Sequence, residues 1–229
     1  MRRPGRIAMK VLIATDALER RVAELAAQID ADYQAVPVRR ASPMAGAESL
    51  PTPTMPAIPA MSAIPATSAG GAAAVHEDSR RTADDPLIAV GVLKGSIFFF
   101  SDLLKRLTVP VVIDFFQAAS YGSGGARRGE LRIAKDVDLR VAGRDVLLVE
   151  DIVDSGHTAR ALLDLLGSRG ARSVRLCTLL DKSAMRQVEA PVDYRGFAID
   201  NHFVVGYGLD HDERWRNLPY IAVWEPDAG

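Results

Sequence analysis

Residues 146–158, VLLVEDIVDSGHT, constrain this chain more than any other stretch. Four apolar residues, enough for a buried strand, give way abruptly to two adjacent carboxylates, Glu150 and Asp151. The small residues Ser155, Gly156 and Thr158 then open a helical pattern. Backbone N–H groups, hydroxyls and the positive end of a helix can converge on an anion at such a place, so the run reads as a phosphate-holding turn. Two carboxylates beside it would repel a phosphate unless they bind something else, and hydroxyls or Mg²⁺ suit them. The run has neither the G-x-x-x-x-G-K-[ST] of a P-loop nor the G-x-G-x-x-G of a dinucleotide fold. That argues against triphosphate hydrolysis and against hydride transfer.

The flanking sequence supplies alternating strands and helices. Residues 145–149 read as a strand, 151–158 as a polar turn, 159–166 as a helix stopping near Gly167 and Gly170, and 173–180 as the next strand. Upstream, the apolar run 87–93 precedes a helix over 97–107, with Phe100, Leu103, Leu104 and Leu107 at helical spacing. Residues 109–116 form another strand-like run, followed by a glycine-rich polar stretch from Ser120 to Glu130 and partial alternation over 131–136. This order predicts an α/β fold with a mostly parallel, twisted sheet flanked by helices. Ligands of such sheets gather at the carboxyl ends of the strands, and Lys94, Asp151, Asp154 and Lys182 all follow strand-like runs.

Residues 15–33 place Leu18, Val22, Leu25, Ala26 and Ile29 on one helical face, with Thr15 as the expected N-cap. Residues 41–74 are rich in Pro and Ala without apolar periodicity, and read as a disordered insertion in a single domain spanning residues 1–229. The one cysteine, Cys177, lies in an apolar run and reads as a small buried hydrophobe. A formal charge of −1 gives no overall pull toward nucleic acid or an anionic membrane. No apolar run approaches the length of a membrane span, and residues 11–14 are too short for a signal-peptide core, so a cytoplasmic protein is expected.

The run 146–158 resembles, at every position, the 5-phosphoribosyl pyrophosphate signature of type I phosphoribosyltransferases, and four further segments align the chain with the hypoxanthine-guanine branch. The resemblance covers residues 9–33 and 86–224. It implies the type I phosphoribosyltransferase fold, with a small hood formed from N- and C-terminal segments. It also implies an Mg²⁺-dependent enzyme of purine salvage that makes IMP or GMP, and a homodimer or homotetramer.

Carried over residue by residue, Leu93, Lys94 and Gly95 look like the pyrophosphate loop, with a cis peptide between Leu93 and Lys94. Ser120 and Tyr121 begin what looks like the mobile loop that closes over the site. Glu150 and Asp151 would sit at the ribose and metal; Ser155, Gly156, His157 and Thr158 would hold the 5-phosphate; Asp154 would be catalytic, managing a proton near N7 of the base. Lys182 resembles the lysine that reads the exocyclic oxygen of a 6-oxopurine. Phe203 would stack on the purine, Val204 would offer backbone groups to its edge, Asp210 would assist both metal and purine binding, and Arg216 would reach pyrophosphate.

On the residues alone, Phe203 and Val204 read as strand core, Lys182 as a solvated lysine, and 120–130 as an exposed hairpin connection. His157 and His202 depart from the family pattern without removing a needed group, and His76 and His211 read as solvent-facing. Preference among hypoxanthine, guanine and xanthine stays open. The alternatives are an enzyme of the same fold for another base (xanthine, adenine or a pyrimidine), and an RNA-binding regulator of that fold.

Overall fold

The computed structural model describes residues 9–34, 85–120 and 131–225. The Pro/Ala-rich insertion, the glycine-rich stretch, Tyr121 and His76 lie outside the described residues.

Among the described residues, nine strands and three α-helices run in the order β1 (Met9–Ile13), α1 (Thr15–Gln34), β2 (Leu87–Leu93), α2 (Ile97–Leu104), β3 (Val111–Ser120), β4 (Leu131–Lys135), β5 (Asp145–Val153), α3 (His157–Ser168), β6 (Ser173–Asp181), β7 (Tyr194–Ala198), β8 (Val204–Val205) and β9 (Ile221–Trp224). Six strands form the main sheet in the order β4-β3-β2-β5-β6-β7, parallel throughout except where β4 returns antiparallel along β3. A second sheet, β1-β9-β8, is antiparallel and joins the two ends of the described chain into the expected hood.

Strand alternation explains why helices cover both faces. Leu87 and Ala89 of β2, with Leu147 and Val149 of β5, pack under α1 and α2. Ile88, Val90, Val146 and Leu148 face the opposite way, onto Leu162 and Leu166 of α3. A strand buried on both sides has no polar face, which is why β2 and the first part of β5 read as unbroken apolar runs. The α1 stripe Leu18, Val22, Leu25, Ala26 and Ile29 is buried as its spacing predicts, and Cys177 is buried in the same core.

Three local expectations change. Helix α2 ends at Leu104 and β3 begins only at Val111, because Asp30 accepts the N–H groups of Thr108 and Val109 at 3.0–3.1 Å and draws the chain out of both patterns. The Thr15 hydroxyl does not cap α1; it donates to the carbonyl of Pro219 at 2.8 Å, tying the helix start to the hood. Strand β5 continues through both carboxylates to Val153, since Glu150, Ile152 and Val153 keep their ladder partners Thr178, Leu180 and Asp181 in β6.

The chain steps from β2 outward to β3, then returns to β5 on the other side of β2. The carboxyl ends of β2 and β5 therefore flank a topological switch point, where a crevice opens in such sheets.

Candidate functional site

At that switch point lies a cleft of about 510 Å³, lined in part by Leu93, Gly95, Glu150, Asp151, Asp154, Ser155, Gly156 and Thr158. Its two walls are the loops that follow β2 and β5. The first contains a cis peptide between Leu93 and Lys94, where the family resemblance expects one. Ser96 is buried and its hydroxyl donates to the carbonyl of Val92 at 2.6 Å, closing the loop on its own strand. A Cβ at Gly95 would lie 1.6 Å from Oδ2 of Asp151, so the absence of a side chain is what lets the two walls meet.

Glu150 is buried at 4% exposure and its Oε1 has no hydrogen-bond partner, while Asp151 is half-buried and accepts the N–H of Ile152 at 3.0 Å. Burial, with Asp151 beside it, pushes the Glu150 carboxyl well above its ordinary range; burial also raises Asp151, against the pull of nearby backbone N–H groups. Neither carboxylate has enough local compensation for its charge, so the pair suits a divalent cation or a set of hydroxyl donors.

The turn that follows is held from outside. Gly156 is the N-cap of α3 with φ +90°, and a Cβ there would lie 2.3 Å from the carbonyl oxygen of Val188, so conformation and space both demand glycine. The N–H groups of Gln187 and Val188 donate to the carbonyl of Ser155 at 2.9 and 3.0 Å. Arg186 donates to the carbonyl of Asp154 at 3.1 Å and pairs with the fully buried Asp181, which Arg195 also meets at 2.6 Å. His157, the first residue of α3, lies 3.4 Å from Gln187 through Nε2. Lys182, at the end of β6, is only 7% exposed and its ammonium lies 3.6 Å from Oδ2 of Asp154.

The hood brings the C-terminal residues to the same end of the sheet. Gly208 adopts φ +106°, and a Cβ on it would meet the carbonyl oxygen of Gly95 at 1.9 Å. Arg216 pairs with Asp210 at 2.8 Å and donates to the carbonyl of Gly208 at 2.8 Å. Phe203 is 51% exposed, and its ring stands edge-on to Trp224 at 5.7 Å and to His211 at 5.4 Å. His211 is not solvent-facing: its ring stacks on Trp224 at 4.0 Å and 17°. Val204 is buried in β8 opposite Val223.

Of the residues expected from sequence, the cleft gathers eight, and Lys94, Lys182, Asp210 and Arg216 stand around them through the contacts above. Ser120 ends β3 opposite Leu131, and Tyr121 is outside the described residues. Phe203 and Val204 belong to the hood and do not line the cleft. Gln187, which does line it, carries no pattern by which sequence could have found it. Glu213, paired with Lys94 at 3.0 Å, also escaped notice, although it lies three residues before Arg216.

The chain matches the model of the phosphoribosyl transferase domain over residues 61–212. It is 47% identical over 136 residues to the hypoxanthine phosphoribosyltransferase of Salmonella typhimurium, covering 59% of this chain and 76% of that protein. It is also 54% identical over 143 residues to a bifunctional protein TilS/HprT of Listeria monocytogenes, covering 62% of this chain and 22% of that protein, so the chain spans about a fifth of that relative's length. A crystal structure of a hypoxanthine phosphoribosyltransferase from Staphylococcus aureus superposes with a TM-score of 0.70 at 33% identity, covering 95% of this chain and 91% of the other.

Proposed function

This chain belongs to the phosphoribosyltransferase family, and from that membership we propose that it transfers the 5-phosphoribosyl group of phosphoribosyl pyrophosphate to N9 of hypoxanthine or guanine, giving IMP or GMP and pyrophosphate. It has the type I phosphoribosyltransferase fold. One observation carries the reading. The acidic pair Glu150 and Asp151 leads directly into the turn containing Ser155, Gly156, His157 and Thr158, and a single cleft joins both to the loop after β2.

The residues fit a divalent metal. The partnerless buried oxygen of Glu150 and the upward-shifted pair of carboxyls favour a cation beside them. Among the described residues no group of three or more His, Cys, Asp or Glu is poised to hold a metal unaided. Mg²⁺ is commonly held by one or two carboxylates together with substrate oxygens. Glu150 and Asp151 would hold it, with Asp210 assisting; when bound it would neutralise the pyrophosphate leaving group.

The chain's own groups then have distinct tasks. Backbone donors of residues 155–158 and the hydroxyls of Ser155 and Thr158 bind the 5-phosphate at the start of α3. Leu93, Lys94, Gly95 and Arg216 hold the pyrophosphate, and Ser120, at the end of β3, belongs to the same phosphoribosyl pyrophosphate-binding set. Phe203 stacks on the base, Val204 holds its edge, and the Lys182 ammonium donates to the 6-oxo group, which an adenine amino group could not replace as an acceptor. Asp154 accepts or stabilises the base proton while positive charge builds at C1 of the ribose. The rest of the catalysis is positioning.

A homodimer or homotetramer in the cytoplasm completes the proposal. No helix among the described residues is long and apolar enough to cross a membrane. The test is direct: incubation with Mg²⁺, phosphoribosyl pyrophosphate and each purine, with chromatographic identification of the nucleotide. IMP or GMP as product supports the reading; product from adenine alone, or from no base, overturns it.

A further inference from the structure

Glu213 lies against the loop after β2, between two cations of separate origin. Its carboxylate contacts the Lys94 ammonium through both oxygens, at 3.0 and 3.1 Å, and the Arg216 guanidinium at 3.2 Å. Lys94 belongs to the loop after β2, and Arg216 to the hood. Among the described residues, no other carboxylate pairs with both Lys94 and Arg216. Glu213 is delivered by a turn in which Asp212 and Glu213 both have left-handed backbones, φ +52° and +60°, a conformation that residues with a Cβ rarely adopt. The turn is fastened by the Glu213 N–H, which donates to Oδ2 of Asp210 at 2.8 Å, and by reciprocal backbone bonds between His211 and Arg214.

On the reading that Lys94 and Arg216 receive pyrophosphate, the carboxylate occupies the coordination they would offer to phosphate oxygens. A polyanion brought against Glu213 in this arrangement would meet like charge, and each cation has a limited number of donors to share. We propose that Glu213 is an internal counter-anion: it holds Lys94 and Arg216 in the free enzyme, gives them up to the incoming pyrophosphate group, and takes them back as pyrophosphate leaves. The inference rests on the assignment of this cleft to phosphoribosyl pyrophosphate. Its consequence is a deliberate weakening of pyrophosphate binding, which speeds departure of a product that would otherwise be slow to leave.

Both pairs are solvent-exposed on the Glu213 side, whose side chain is 64% exposed, so the competition is modest and sensitive to salt. Glu213→Gln keeps the size and removes the charge. Calorimetric titration with Mg²⁺-pyrophosphate and with phosphoribosyl pyrophosphate should show the variant binding about 3- to 10-fold tighter at low ionic strength, from the loss of two exposed ion pairs. The gain should shrink as salt is added and in a Lys94→Met background, and KM for the purine should not move. A residue with only a structural role would leave affinity unchanged or weaken it on removal. Unchanged or weaker binding by Glu213→Gln, with wild-type protein binding normally, overturns the counter-anion role alone. Failure of the wild-type protein to bind either ligand overturns the assignment of the cleft.

Discussion

The Lys182 ammonium lies 3.6 Å from Oδ2 of Asp154, so the group proposed to read the base and the group proposed to manage its proton form one ion pair across the ends of β6 and β5. Asp154→Asn keeps the shape and removes the charge. Turnover should fall about 10²- to 10⁴-fold, the usual worth of a positioned proton acceptor, while phosphoribosyl pyrophosphate affinity changes less than about threefold. Steady-state kinetics and calorimetry separate the two, and near-normal turnover would remove Asp154 from the chemistry.

Gly208→Ala should damage two regions at once. The new Cβ meets the carbonyl oxygen of Gly95 at 1.9 Å, and the backbone at φ +106° is one that alanine rarely takes. Strain of this kind costs about 1–3 kcal/mol, and the hood must also lift from the loop after β2. Thermal melting should show a loss of several degrees, and KM for phosphoribosyl pyrophosphate should rise. Combined with Gly95→Ala, whose own Cβ would meet Asp151, the losses should be less than additive, because both variants push on the same loop after β2.

Asp114 is a structural anchor whose effect depends on pH. Its carboxylate accepts the N–H groups of Phe115, Asp138 and Leu139 at 2.7–2.9 Å and pairs with Lys135 at 3.1 Å. Burial pushes the carboxyl upward, but those donors outweigh it and hold it below the ordinary carboxylate range. A depressed folded-state pKa stabilises the protein above the unfolded pKa, and that contribution is lost as pH falls through the folded value. Asp114→Asn should cost about 2–3 kcal/mol at neutral pH. The gap should narrow only as pH falls below the ordinary carboxylate range and through the lowered folded value, where the carboxyl becomes protonated; urea denaturation along an acid pH series measures it.

The chain's two tryptophans, Trp215 and Trp224, both lie in the hood around His211. Trp224 also stands 5.7 Å from Phe203, the proposed base-stacking residue. IMP or GMP binding should therefore change the intrinsic fluorescence. The change should survive Trp215→Phe and largely vanish in Trp224→Phe. An unresponsive spectrum in a protein that binds nucleotide by calorimetry would place the base away from Phe203.

Much of this architecture was readable in the chain because the main sheet is covered on both sides. Leu87–Leu93 is an unbroken apolar run, and its strand has those bounds. The α1 stripe is regular enough to identify the buried face directly. What misled was context supplied from elsewhere in sequence. The two carboxylates looked like the start of a turn, yet β6 keeps them in the ladder. Asp30, far upstream, sets where α2 stops and β3 starts. His211 looked solvated because Trp224, which stacks on it, comes thirteen positions later and belongs to a strand too short to show periodicity. Gly208, Gln187 and Glu213 acquire meaning only through partners that the fold brings near.

The pairing of Met9 with Trp224 in the hood has a consequence for biosynthesis. Strand β1 leaves the ribosome long before its partner β9, which follows every strand of the main sheet, so that sheet can assemble while the hood still lacks its middle strand. A nascent chain halted before Ile221 would carry the completed main sheet under an unfinished hood. Completion of the hood, which holds the proposed base-stacking Phe203, therefore waits on a strand made after the whole main sheet.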